Sequence, residues 1–120
     1  MADHVVVKLT WGVDSPERVS QALTVCATAA AAGVPASLWL TGDAAWLATA
    51  GVLEQVDLPF AGSLADSRDA VLAAGGITVC SQCAARRGLT EADLLPGVRI
   101  AGSAVFVEEI LAPGARALVY

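Results

Sequence analysis

Five short apolar runs, separated by turns and by segments of helical spacing, constrain the fold of this chain more than any other feature. These predicted strands cover residues 4–9, 34–41, 77–79, 98–100 and 117–120. A chain that alternates strands with helices makes right-handed crossovers, which give a mainly parallel sheet with helices on both faces. The sequence therefore predicts one α/β domain over residues 1–120, with its functional loops at the carboxyl ends of the strands.

Capping residues divide the segments between the strands. Ser15 followed by Pro16 is typical of a helix N-terminus, with Ser15 as the N-cap, and Gly33 is expected to end that helix. Ser63 is the expected N-cap of another helix, which ends before Gly75. The remaining predicted helices cover residues 44–50, 81–87 and 103–111.

The charge of the chain argues against nucleic acid and against an anionic membrane surface as partners. The formal net charge is −5, and the sequence contains no run of basic residues. Arg86 and Arg87 form its only adjacent pair of cations. Binding to a phosphate backbone needs several clustered cations. We therefore expect neither nucleic acid nor a membrane to be a partner.

The small charged fraction bears on self-association. Only 16% of the residues are charged, against about 25% in typical soluble domains. One interpretation is that part of the surface is buried against other subunits. The alternative is an alanine-rich sequence with an ordinary monomer surface.

The first residues and the uncharged stretch 19–41 bear on location. Residues 1–4 carry no basic region, which argues against an ordinary signal peptide. Gly33 and Pro35 interrupt residues 19–41, so this stretch is not predicted to span a membrane. A cytoplasmic, reducing location follows as an expectation, and it disfavours structural disulfides. The three cysteines then indicate catalysis, redox chemistry or packing.

Cys80 and Cys83 form the strongest local signal, a Cys-x-x-Cys motif between a predicted strand and a predicted helix. A sulfur atom at the start of a helix faces backbone N–H groups that favour the thiolate. Arg86 and Arg87 follow within two turns and add positive potential. The motif therefore predicts a nucleophilic thiolate, or a persulfide, on Cys80.

Other interpretations of the cysteines remain open at this point. A zinc site needs about four ligands, and the chain offers Cys80, Cys83, the distant Cys26 and one histidine. We therefore predict no metal and no cofactor. The same motif also suits a dithiol redox protein, or two cysteines that only pack a strand–helix corner. Cys26 lies in the middle of a helix on its apolar side and is expected to be inert.

Several other residues are candidates for substrate binding because of their position. Trp11, Asp14 and Asp43 follow predicted strands, and Arg86 follows the Cys-x-x-Cys motif. The aspartates also suit a purely structural role in turns. Gly-rich phosphate-binding motifs and the Gly-x-Ser-x-Gly motif of hydrolases do not occur in the sequence.

The whole pattern resembles the DsrE/DsrF family, which includes the TusD-type sulfur-relay subunits. The resemblance covers nearly the whole chain and rests on residues 6–10, 14–17, 32–34, 41–43, 74–80 and 83–89. The last two segments read Ala-Gly-Gly-Ile-Thr-Val-Cys and Cys-Ala-Ala-Arg-Arg-Gly-Leu. The spacing from the cysteine to the Arg-Gly pair is the more specific part.

The resemblance implies a three-layer α/β/α fold with a five-stranded, largely parallel sheet, in cytoplasmic homotrimers, hexamers or hetero-oligomers. It also implies that Cys80 accepts sulfur as a persulfide from a donor protein and passes it to an acceptor. Cys83 is outside the TusD-like core pattern, and it either resolves the persulfide as a disulfide or fills space. The predicted function is a sulfur-relay carrier. The alternatives are an oligomeric binding module without catalysis and a dithiol redox protein.

Overall fold

The structure is a computed structural model that describes residues 2–120, and it contains five strands and four α-helices. The strands are β1 (His4–Leu9), β2 (Ala36–Leu40), β3 (Ile77–Cys80), β4 (Arg99–Ala101) and β5 (Ala115–Val119). The helices are α1 (Pro16–Ala31), α2 (Leu64–Ala73), α3 (Ser81–Arg86) and α4 (Ser103–Leu111). Three short 3₁₀ helices cover Gly42–Ala48, Leu53–Gln55 and Glu91–Asp93.

All neighbouring strands are parallel, and they form one sheet in the order β4-β3-β2-β1-β5. The predicted α/β fold is therefore confirmed, with a sheet that is wholly parallel. The connections from β1 to β4 step in one direction across the sheet, whereas the connection through α4 runs back to the opposite edge. Right-handed crossovers then place α1, α2 and α3 on one face and leave α4 alone on the other.

The larger core lies on the face covered by α1 and α2. Alternate strand residues point into it, and the parallel register aligns them: Val7 lies beside Leu38, and Leu9 beside Leu40. From the helix side, α1 contributes Val19, Ala22, Leu23 and Cys26. Each fully buried aliphatic side chain of this kind stabilises the fold by about 1.5–3 kcal/mol. This core packs the sheet against α1 and α2.

The opposite face of the sheet is more polar and carries only α4. The side chains that point to it alternate with those of the core and include Lys8, Ser37, Trp39, Thr78 and Cys80. The ring of Phe106 on α4 meets Trp39 edge-on, with 5.2 Å between the ring centroids. No residue of α4 is fully buried. This face of the sheet is therefore thinly covered.

The capping predictions have different outcomes. Ser63 is the N-cap of α2, since its Oγ accepts a hydrogen bond of 3.1 Å from the N–H of Asp66. The prediction for Ser15 is wrong in its detail, because Ser15 makes no side-chain cap and its Oγ instead accepts from Arg18. Pro16 still opens α1, and Gly33 takes a left-handed φ of 78° just beyond its end.

Three predicted elements differ from the observed ones in type or by two residues at their start. The strand β2 begins at Ala36, two residues later than expected. The segment predicted as a helix over residues 44–50 is a 3₁₀ helix, which ends at Ala48. The last strand begins at Ala115, two residues earlier than expected, because Ala115 pairs with His4 at the start of β1. Within residues 2–120, none of the helices has the length and apolar character that a membrane crossing requires.

The turn into β3 leaves no space for a side chain at Gly76. A methyl group at this position would collide with the carbonyl oxygen of Ala36, at the start of the neighbouring strand β2. The carbonyl of Gly76 also accepts a hydrogen bond of 2.6 Å from the N–H of Leu38. Gly75, next to it, has open space around its Cα but a φ of 81°.

We expect Gly76→Ala to lower the free energy of unfolding by about 3 kcal/mol, because two strands must separate to admit the methyl group. Gly75→Ala is the matched control and should cost about 1 kcal/mol, since it only strains the backbone at a positive φ. Urea unfolding of both variants measures the two costs. Equal costs would contradict this account of Gly76.

Arg68 of α2 is a buried cation that links this helix to the 3₁₀ helix Leu53–Gln55. Its side chain is only 4% exposed, and its Nη1 and Nη2 atoms donate to Glu54 at 2.9 and 3.2 Å. Asp69 accepts further hydrogen bonds from the same guanidinium. The hydrogen bond from Arg68 is the main reason that the pKa of Glu54 lies below its ordinary value.

Glu54→Gln should lower the free energy of unfolding at neutral pH by about 1 kcal/mol, a modest effect because half of the Glu54 side chain faces water. The folded pKa of Glu54 is depressed, so its contribution is complete above the unfolded value of about 4.3 and is lost as the pH falls through the folded value. Urea unfolding at neutral and acidic pH should therefore show a difference that shrinks in acid. A difference of constant size would contradict this origin.

Candidate functional site

Cys80 lies at the carboxyl end of β3, on the face of the sheet that α4 covers. It is the last residue of the strand and the N-cap of α3, and it pairs with Ala101 at the end of β4. Its extended backbone, with φ −61° and ψ 128°, turns the chain from the strand into the helix. The position is the one expected from the sequence, at a strand end in a parallel sheet.

Several groups around Cys80 favour its thiolate. Partial burial raises the pKa of the thiol, but the N–H groups of Cys83 and Gln82, the side chain of Cys83 and the charge of Lys8 lower it. The lowering prevails, so the pKa of Cys80 lies below the ordinary value for a cysteine. A thiolate is the nucleophilic form of cysteine, so the lowered pKa favours the nucleophilic form of Cys80.

A small cavity of about 40 Å³ opens beside Cys80. Its other lining residues come from β1, from β2 and the residue after it, and from α4: Lys8, Trp39, Thr41, Ser103 and Phe106. A water molecule needs roughly 10–15 Å³ of such space, whereas typical small-molecule sites measure about 300–1,000 Å³. The cavity therefore has room for a few small atoms bound to the sulfur and not for an organic substrate.

Cys83 lies in the first turn of α3, three residues after Cys80, and is nearly buried, with 8% of its surface exposed. Its Sγ accepts a hydrogen bond of 3.1 Å from the N–H of Gly42, in the turn after β2. The side chain of Cys83 is also one of the groups that lower the pKa of Cys80. Both cysteines are free thiols, so the two sulfur atoms form a reduced pair at the start of α3.

Of the two adjacent arginines, Arg87 is the one that contacts the residues around Cys83. It donates to the carbonyl of Cys83 at 3.1 Å and to the carboxylate of Asp43 at 2.8 Å. Arg87 thus joins α3 to the turn that holds Cys83. Arg86, the arginine predicted to bind substrate, is exposed and does not line the cavity at Cys80.

The other predicted binding residues lie outside this cavity. Asp14 and Asp43 line a separate depression of about 460 Å³ together with Trp46. Trp11 is exposed in the loop after β1, where the guanidinium of Arg18 stacks at 4.3 Å from its ring centroid. The structure therefore brings Cys80 and Cys83 together, and it groups the two aspartates at a second place.

Cys26 is removed from this chemistry. It is fully buried in α1, and burial raises the pKa of its thiol to about 12. The expectation of a buried core cysteine agrees with this position. Among residues 2–120, no group of three or more His, Cys, Asp or Glu side chains is arranged to hold a metal ion.

Sequence reasoning missed the residues that complete the cavity, above all Lys8. A charged residue next to the end of a largely apolar strand was the available signal, and Lys8 is also the only lysine in the sequence. Strand alternation would have placed it on the same face as Trp39, its partner in the parallel register. Ser103 and Phe106 carried no comparable signal, because their place depends on how α4 crosses the sheet.

Comparison with known proteins agrees with the fold. The structure is similar to the crystal structure of the ychN protein from E. coli, with a TM-score of 0.68 and 19% sequence identity, over 100% of both chains. At this identity the likeness shows the fold. No curated protein sequence matches the chain. The model of the DsrE/DsrF-like family matches residues 3–120. The chain therefore belongs to the DsrE/DsrF-like family.

Proposed function

We propose that this protein carries sulfane sulfur as a persulfide on Cys80. The observation that carries the proposal is the small cavity at Cys80, which joins a thiol of lowered pKa to a lysine side chain. A cavity of about 40 Å³ suits one added sulfur atom. Membership of the DsrE/DsrF-like family is consistent with a role in sulfur relay.

Loading proceeds by attack of the Cys80 thiolate on the sulfane sulfur of a donor. A bond forms between Cys80 Sγ and that sulfur atom, and the bond between the sulfur and the rest of the donor breaks. The electron pair of the broken bond leaves with the donor as a thiolate. No external oxidant or reductant enters this exchange.

Unloading reverses the roles. A thiolate of an acceptor protein attacks the terminal sulfur atom, and Cys80 leaves as a thiolate. A thiol of low pKa is a better leaving group, so the contacts that stabilise the Cys80 thiolate assist both steps. Partner proteins that donate and accept sulfur are thus part of the proposal.

Cys83 supplies one alternative, a dithiol redox protein. Cys83 lies three residues after Cys80 in the first turn of α3 and lowers the pKa of Cys80, so it is the candidate to attack Cys80 Sγ in a persulfide. That attack would form a Cys80–Cys83 disulfide and expel hydrosulfide. A non-catalytic binding module is the other alternative, and the depression at Asp14 and Asp43 would serve it.

The proposal includes self-association into a homo-oligomer. Exposed apolar side chains surround α4: Val107 on the helix is 45% exposed, Leu111 at its end 76%, and Val119 on the neighbouring edge strand β5 67%. Val119 pairs with Lys8 and so points to the same face of the sheet as α4. Exposed apolar side chains at a sheet edge support an interface between copies of the chain.

Alkylation rates should rank the three thiols. At neutral pH we expect the native protein to react first at Cys80, with a rate whose pH midpoint lies below that of a free cysteine, since its pKa is lowered. Cys26 should stay unmodified until the protein unfolds, because burial raises its pKa to about 12. Peptide mass spectrometry after iodoacetamide treatment measures this order. An unreactive Cys80 would favour the binding-module alternative.

Sulfur uptake tests the carrier function itself. After the reduced protein is incubated with inorganic polysulfide, its intact mass should rise by at least one sulfur atom. Cys80→Ser should lose at least about nine-tenths of this gain, because the attacking thiolate is absent. Cys26→Ala is the control and should keep the gain.

Cys83→Ser separates the carrier from the redox alternative. A carrier keeps the added sulfur in this variant, and holds it longer if Cys83 normally expels it. Full uptake by Cys80→Ser would refute the proposal. Formation of a Cys80–Cys83 disulfide without any persulfide in the wild type would favour dithiol redox chemistry.

A further inference from the structure

Lys8 stands apart from the other cations of the chain. It is the only lysine in the sequence, and it lies on the interior strand β1 with a partly buried side chain. Within residues 2–120, each ion pair uses an arginine as its cation. Lys8 instead places its Nζ atom 5.3 Å from the ring centroid of Phe106. The chain thus keeps a positive charge here without a carboxylate partner.

The surroundings of Lys8 make the cavity a place for an anion. The lining contains no acidic side chain, and Lys8 and Cys80 are its two titratable groups. Thr41 and Ser103 add hydroxyl groups to the same wall. Cys83 of α3 does not line the cavity. Desolvation of an ammonium group costs free energy unless an anion or a π-system compensates it. The ring of Phe106 offsets part of this desolvation cost. An anion on Cys80 would offset more of it.

We propose that Lys8 positions the terminal sulfur anion of loaded Cys80 and makes the site select anionic sulfur donors over neutral ones. This inference rests on the proposed carrier function. A persulfide is a stronger acid than the thiol from which it forms, so the added sulfur atom is an anion at neutral pH. In a cavity that holds only a few atoms, that anion stays within reach of the Lys8 ammonium. An anionic donor meets the same attraction as it approaches.

The first test measures charge selectivity without any sulfur chemistry. Iodoacetate and iodoacetamide both alkylate the thiolate, so the ratio of their rates at one pH does not depend on how much thiolate is present. We expect Lys8→Met to lower the ratio of the iodoacetate rate to the iodoacetamide rate about fivefold. Lys8→Arg should restore most of the ratio, because it restores the charge.

Arg116→Met is the matched control. It removes the same charge from the chain, but Arg116 lies at the start of β5, where it pairs with Asp3. Its ratio should equal that of the wild type. An unchanged ratio in Lys8→Met, or an equal loss in Arg116→Met, would overturn the role of Lys8. Circular dichroism of each variant checks that the fold is kept.

The second test compares sulfur donors. Lys8→Met should reduce the rate of sulfur uptake from inorganic polysulfide, an anion, about fivefold more than the rate at which Cys80 reacts with diallyl trisulfide, a neutral sulfane-sulfur compound. In that second reaction the thiolate attacks the central sulfur atom, allyl thiolate leaves, and a mixed trisulfide remains on Cys80. Equal reductions would overturn the proposed selectivity while uptake itself supports the carrier. If the wild type takes sulfur from neither donor, the carrier function fails, and this failure is distinct from a loss of charge selectivity.

Discussion

Glu109 fixes the position of α4 on the sheet, and the site at Cys80 depends on that position. Its carboxylate accepts hydrogen bonds from Ser37 and Trp39 of β2 and from Arg99 of β4. One side chain thus joins the helix to two strands that are not neighbours. Since α4 buries no residue completely, apolar packing alone holds it weakly. The hydrogen bonds that Glu109 accepts therefore determine the orientation of α4 on the sheet.

The parallel register then assembles the cavity. Lys8 lies beside Trp39 in the pairing of β1 with β2, and Trp39 lies beside Thr78 in the pairing of β2 with β3. Cys80 is two residues beyond Thr78 and so points to the same face. Phe106, one turn before Glu109 on α4, closes the cavity from above. Glu109 does not line the cavity, but it positions the helix that closes it.

The sequence carried enough information for the sheet and for Cys80 but not for the walls around it. Apolar runs and capping residues such as Ser63 act locally, so their pattern is readable along the chain. The Cys-x-x-Cys motif is also local. Ser103 and Phe106 meet Cys80 only because α4 crosses back over three strands, a consequence of topology that no short pattern encodes. The choice of Arg87 over Arg86 for contacts likewise depends on where the turn at Asp43 lies.

Cys80 lies outside the apolar core that holds the sheet to its helices. Stability and chemistry are thus assigned to different residues, because the core would lose little if Cys80 were another small side chain. In relatives that do not need the thiol, Cys80 can be replaced without loss of the fold. If the proposed function is right, a cysteine at this position together with a cation at the position of Lys8 distinguishes relatives that retain the chemistry from those that retain only the fold.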